Sequence, residues 1–124
     1  LEPYLNSLDS LFVVARADDA VVGLATALPL AHEAHEAQTP FINANWPVNE
    51  IFYFGESVLL PQYRGQSVGH RFFDLREQHA RSLGYSITTF CGVVRPNDDP
   101  LRPADYQPLD AFWRKRGYEK IPGL

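Results

Sequence analysis

The stretch from Ile51 to His70 constrains this chain more than any other. Ile51-Phe52-Tyr53-Phe54-Gly55-Glu56-Ser57-Val58-Leu59-Leu60 is aromatic and β-branched and reads as a buried strand, while the residues from Ser67 onward carry apolar side chains at helical spacing. A short link, Pro61-Gln62-Tyr63-Arg64-Gly65-Gln66, brings the end of that strand against the start of that helix. The first N–H groups of a helix have no partner inside it, and the helix dipole adds about half a positive charge there, so the turn suits an anion such as a pyrophosphate. Small residues at Gly65, Ser67 and Gly69 let such a ligand approach the backbone.

Around this unit the chain divides readily. Leu11 to Arg16 reads as a strand, Ala17-Asp18-Asp19 as a turn and Ala20 to Leu28 as a second strand, together a hairpin. Pro29 to Asn49 has no sustained period and holds Pro29, Pro40 and Pro47, so it reads as a long loop with one helical turn through Ala31 to Gln38. Loops of that length in small domains tend to be functional, and this one carries Phe41 and Trp46, suited to wall a pocket. The helix runs from Ser67 to Leu83, with Val68, Phe72, Phe73, Leu75, Ala80 and Leu83 facing inward, and Gly84 ends it. Ser86 to Val94 is a further strand, Arg95 to Pro108 a loop rich in Pro and Asp, and Leu109 to Arg116 a final helix capped by Gly117.

Arg64-Gly65-Gln66-Ser67-Val68-Gly69 resembles the R/Q-x-x-G-x-G/A signature of the GNAT superfamily of acyl-CoA-dependent N-acyltransferases. Leu59-Leu60-Pro61 resembles the V-x-P that ends the family's fourth strand, and Phe112-Trp113-Arg114-Lys115-Arg116-Gly117-Tyr118 is similar to its Y-x-x-x-G-F helix ending. The resemblance covers about Leu11 to Tyr118 and departs inside the signature at Ser67, where the family has a Gly. It implies an α/β fold of the α+β kind: a mixed, mostly antiparallel twisted sheet flanked by helices. The chain contains no Met. Set against the family, a first strand and helix before Leu1 and a last strand pair after Leu124 are expected to lie outside it.

The implied function is transfer of an acetyl group from acetyl-CoA to a primary amine. Amino acid, polyamine, antibiotic, arylamine and protein amine all stand as acceptors. The resemblance assigns the pantetheine arm to the backbone of Val58, Leu59 and Leu60, and the phosphates to Arg64 and the N–H groups of Gly65, Gln66, Ser67, Val68, Gly69 and His70. The plainer alternative makes Leu59 and Leu60 core and Arg64 a surface charge.

A lysine-like amine has a pKa of roughly 10.4 and must lose a proton to react, so a base is needed. Glu56 interrupts an apolar strand three residues before Leu59 and is the first candidate, with desolvation expected to raise its pKa; the alternative is a carboxylate on a solvated strand face. Glu50 is the second. Counting back four from Gly117 reaches Trp113, where the family commonly has a Tyr that protonates the departing thiolate, and an indole cannot do this. Tyr106, in the preceding loop, is the candidate proton donor, and Phe41 and Trp46 are expected to line the acceptor pocket. The rival reading is a non-catalytic acyl-CoA-binding or regulatory module.

Composition bounds the rest. A chain of 124 residues, 45% hydrophobic and 13% aromatic, holds enough apolar material for one core, so residues 1–124 are read as a single domain. The net charge of -4 argues against a nucleic-acid or anionic-membrane surface and suits a cationic acceptor. No apolar run approaches the ~20 residues of a membrane span. Cys91, the one cysteine, rules out an internal disulfide and fits a reducing, cytoplasmic setting. A homodimer is left open. His32-Glu33-Ala34-His35-Glu36 has its two His at i and i+3 instead of the i and i+4 of a zinc helix, so no metal is expected. Cys91 is read as a small buried strand residue instead of a nucleophile served by His70 or His79.

Overall fold

The computed structural model describes residues 2–91 and 110–119. They fall into two units, Leu1–Phe90 and Cys91–Leu124. The first opens with a short helix α1 (Glu2–Asn6), followed by strands β1 (Leu11–Ala17) and β2 (Ala20–Pro29). The predicted hairpin is present, with Ala17 opposite Ala20 and Asp18 in the left-handed region at φ 54°, a conformation that Asp tolerates better than most residues.

Helix α2 (His35–Asn43) corrects the expectation of a single turn through Ala31 to Gln38. It is nine residues long and keeps Pro40 inside it, although a proline has no N–H to continue the ladder. Tertiary packing explains its persistence: Phe41 is 7% exposed and closes a cluster with Leu30 and Ile51, rimmed by Trp46, Val48, Tyr53 and Ile87. Gln38 Nε2 also donates to the carbonyls of Glu33 (2.8 Å) and Ala31 (3.2 Å), tying the helix to the turn before it.

Strand β3 (Ile51–Leu59), helix α3 (Val68–Ser82) and strand β4 (Ile87–Thr89) complete the unit. The sheet order is β1-β2-β3-β4, antiparallel except for the parallel β3–β4 pair. Its faces alternate along β3. Phe52 and Phe54 meet α3 through His79 and Phe73, while Ile51 and Tyr53 serve the Leu30–Phe41 cluster opposite. On α3 the buried positions are Phe72, Phe73, Arg76 and Ala80, so an arginine sits where the helical period demands a core residue. Leu83, expected inward, is 40% exposed because the helix has already ended at Ser82. Gly84, at φ 87°, caps that end as expected: Tyr85 N–H donates to Ala80 O and Gly84 N–H to Arg81 O, each at 3.0 Å.

Of the predicted Ser86–Val94 run, Ile87–Thr89 forms β4, Ser86, Phe90 and Cys91 do not join it, and residues 92–94 lie outside the described residues. Cys91 lies past the end of β4 and is exposed, which corrects the reading of a buried strand residue. In the second unit, helix α4 (Asp110–Lys115) ends by the same device as α3. Gly117 takes φ 91°, Tyr118 N–H donates to Trp113 O (3.1 Å) and Gly117 N–H to Arg114 O (2.9 Å).

Candidate active site

Two irregularities of β3 fall together. Its pairing with β4 covers Ile51↔Ile87, Phe52↔Thr88 and Tyr53↔Thr89 and stops there, so among the described residues the edge from Phe54 to Leu59 has no neighbouring strand. Its register with β2 also jumps at this point, from Ala27↔Phe54 to Ala25↔Ser57, which leaves Gly55 and Glu56 both opposite Thr26. That is a β-bulge, and bulges bend a strand and re-aim its groups. Here the ladder bond is replaced: Glu56 N–H donates to Thr26 Oγ1 at 2.9 Å.

Beyond the bulge β3 stays on β2, and Leu60 N–H donates to Val22 O at 2.9 Å. The ladder's two-residue period therefore directs the polar groups of Ser57 and Leu59 to the uncovered edge and spends the N–H of Leu60 on β2. Of the three residues assigned to a pantetheine arm, Leu59 has the matching backbone direction, while Val58 and Leu60 contribute exposed apolar side chains, 56% and 44% exposed. Gly23 makes room for Leu59, since a Cβ there would come within 2.7 Å of Leu59 Cδ1 and 3.2 Å of Phe72 Cζ.

The turn after β3 begins with a 3₁₀ segment at Pro61–Tyr63, and Arg64 folds back so that its Nε donates to Leu59 O at 3.2 Å. The guanidinium is thereby held beside the strand end and the helix start. Gly65 has φ 81°, and a Cβ on it would meet nothing within 4 Å, so the glycine serves backbone conformation in an open place. Ser67 is the N-cap of α3 with φ 65°, a left-handed residue whose side chain makes no capping bond. The chain thus keeps the conformation a Gly would take at the one signature position where it carries a Ser. Gln66 is exposed, and Val68, Gly69 and His70 are half-buried at the first turn of α3.

Glu56 is exposed, as is Glu50 in the 3₁₀ segment ahead of β3, so the described fold does not bury either carboxylate. Phe41 belongs to the core cluster, and of the two expected pocket residues Trp46 is the half-buried one, at the cluster's rim. Tyr106 lies outside the described residues. Among the described residues there is no group of three or more His, Cys, Asp or Glu placed to hold a metal ion, and no helix is long and apolar enough to cross a membrane.

The sequence reading missed what surrounds the bulge. Tyr4, 8% exposed, sets its hydroxyl over Gly55, where a Cβ would collide with the phenol oxygen and lie 2.8 Å from both Tyr4 Cζ and Thr26 Oγ1. Burial raises the Tyr4 pKa well above its usual value; the hydrogen bond to Glu33 and that carboxylate's charge act the same way, as does nearby Tyr53, while the Thr26 hydrogen bond opposes them. Arg76 approaches the same point from the other side: its Nη1 donates to Thr26 O (3.3 Å), its Nε to Phe72 O (3.2 Å), and its guanidinium lies 4.6 Å and 4.8 Å from the ring centres of Phe54 and Phe73.

Residues 1–103 match the model of the acetyltransferase (GNAT) family. The chain belongs to that family. This GNAT acetyltransferase, an acyl-CoA-dependent enzyme of acetyl transfer, has the family's fold as well. A solved aminoglycoside N-acetyltransferase, AAC(6')-Iy in complex with CoA, is similar to it with a TM-score of 0.64 at 15% identity, over 96% of this chain and 75% of that one. No curated protein matches the sequence of this acetyltransferase.

Proposed function

We propose that this acetyltransferase moves an acetyl group from acetyl-CoA to a primary amine of a small acceptor, with the pantetheine arm along the uncovered edge of β3 and the phosphates at the turn Arg64–His70. The observation that carries this reading is the joint occurrence of the bulge, the end of β3–β4 pairing and the open left-handed turn within one strand–turn–helix unit. An extended arm laid on an uncovered strand edge takes main-chain hydrogen bonds as an added strand does. First-turn N–H groups of α3 and the Arg64 guanidinium then meet the phosphates.

In the transfer the amine nitrogen bonds to the thioester carbon, the carbon–sulfur bond breaks, and the electron pair leaves with sulfur. Glu56 takes the proton the nitrogen loses, directly or through one water, and bound acceptor and cofactor supply the desolvation that the exposed site lacks. The sulfur leaves as thiolate, which a thiol with a pKa of about 8.5 does near neutral pH, and Tyr106, outside the described residues, is the candidate proton donor. Trp46 borders the acceptor, with Phe41 holding it from beneath. The net charge of -4 favours a cationic amine.

The test is a thermal-shift titration with acetyl-CoA followed by release of free thiol against a panel of amines. Stabilisation with amine-dependent release is the expected result. Stabilisation without release from any amine supports instead a non-catalytic acyl-CoA module, the reading that Trp113 in place of a Tyr favours. The absence of stabilisation overturns both.

A further inference from the structure

A one-way chain of hydrogen bonds starts at the bulge and crosses the face of the sheet opposite α3 to Glu33. Glu56 N–H donates to Thr26 Oγ1 (2.9 Å), and the Tyr4 hydroxyl meets that same oxygen over Gly55, where the Thr26 hydrogen bond favours the phenolate as a donated proton does. The Tyr4 proton in turn goes to the Glu33 carboxylate, whose Oε1 also accepts the N–H of Ala34 at 2.8 Å. Each donor has one acceptor, and the chain terminates on a group that only accepts. Bonds arranged in this way polarise one another.

The participants are built for this use. Thr26 is fully buried, and Gly55 is the residue whose lack of a side chain admits the Tyr4 hydroxyl. Tyr4 comes from a five-residue helix too short to persist alone. It is fixed from both ends: Ser10 Oγ donates to its carbonyl at 2.7 Å, and its ring stands edge-on to Phe12 with centroids 6.4 Å apart.

We propose that Tyr4 is a positioning residue for acetyl transfer, acting through Thr26 and Glu33 to hold the β3 bulge in the geometry that aims Glu56 and the neighbouring strand edge at the reacting groups. The proposal rests on the acetyl-transfer reading for its catalytic consequence. The clamp itself is a property of the fold and is measurable without turnover. A bulge lacks the regular ladder that would otherwise fix its backbone, so side-chain bonds supply what the ladder omits.

The experiment compares Tyr4→Phe, Thr26→Val and Thr26→Ser in the full chain. Amide hydrogen exchange at Glu56 is read first. Loss of one hydrogen bond from the chain speeds exchange there by about tenfold in Tyr4→Phe and in Thr26→Val, while the amides of α3 keep their rates. Thr26→Ser, which retains the hydroxyl, restores protection relative to Thr26→Val. Unchanged Glu56 exchange in Tyr4→Phe overturns the clamp. With an amine that the parent acetylates, Tyr4→Phe lowers kcat by about tenfold and shifts KM for acetyl-CoA by less than about twofold, and adding Thr26→Val costs little more because the two residues act as one unit. Equal losses in kcat/KM through KM alone, or full additivity, overturn the positioning role. Faster Glu56 exchange in a protein that turns over no amine supports the clamp and rejects the acetyl-transfer reading, so the two fail separately.

Discussion

Arg76 Nη1 donates to the carbonyl of Thr26 at 3.3 Å across fifty residues of chain, so one strand residue is gripped by a guanidinium at its backbone and by Glu56 and Tyr4 at its hydroxyl. A charge this deeply buried, 1% exposed, is tolerable because it is hydrogen-bonded and lies over two aromatic faces. Replacing Arg76 by Met keeps length and apolar contact but leaves Thr26 O without that donor. Arg76→Met is expected to cost about 1 to 3 kcal/mol, read as a lower urea midpoint with the slope unchanged.

Ser67 holds a left-handed conformation without a capping bond in return. Removing its Cβ relieves strain of about 1 kcal/mol and forfeits no hydrogen bond in the described structure. Ser67→Gly should therefore stabilise the protein by roughly 0.5–1 kcal/mol without weakening acetyl-CoA, whereas Gly65→Ala, in open space at φ 81°, should destabilise it through backbone conformation alone. Denaturant titration with isothermal calorimetry on the same samples checks both halves.

At the turn, Arg64→Glu replaces an attraction with a repulsion, and Gly69→Trp puts bulk in the phosphate approach. Arg64 is exposed and makes one described side-chain bond, so little folding energy is at stake. Each variant is expected to weaken acetyl-CoA binding at least about tenfold. Calorimetry that finds parental affinity in both folded variants removes the turn from the site.

For Glu56 the expected signature is kinetic. Glu56→Gln should lower the maximal rate by roughly 10²- to 10⁴-fold and leave acetyl-CoA affinity near the parental value, the usual size of a general-base contribution. A loss below about threefold transfers the role to a water relay or to Glu50.

Alkali provides an independent check on Tyr4. Its pKa is raised above the ordinary value near 10, so the phenol stabilises the fold fully below that pH and loses its contribution as pH climbs toward the folded value. Tyr85 is raised as well, first by burial and then by Asp9. Ultraviolet titration of the six tyrosines should show a late step that coincides with unfolding, and Tyr4→Phe should make the loss of stability above pH 10 shallower. A parental slope in that variant contradicts the assignment.

The hairpin, the β3–turn–α3 unit and both glycine helix ends are legible in the sequence because their signals are local: alternation, spacing and one residue suited to positive φ. Arg76 is not, since the apolar residues beside it, Leu75 and Leu83, fill the pattern a reader looks for, and only packing shows that the buried row runs Phe72, Arg76, Ala80. Helix α2 is hidden by Pro40 and revealed by what Phe41 touches. The bulge depends on register between strands far apart in sequence, and Tyr4 reaches it across more than fifty residues. The Arg64–His70 turn is readable in sequence, whereas the surroundings of Glu56 are assembled by tertiary contacts.

The three rungs that join β3 to β4 give the sheet an uneven strength. A ladder under load parts where its rungs are fewest, and in the proposed binding mode that line is also the mouth into which an extended thioester arm slides. A guest that brings its own rungs acts as a keystone, adding stiffness where the empty protein has least. In that mode co-substrate and fold share a single mechanical seam, and the grip that closes on one tightens the other.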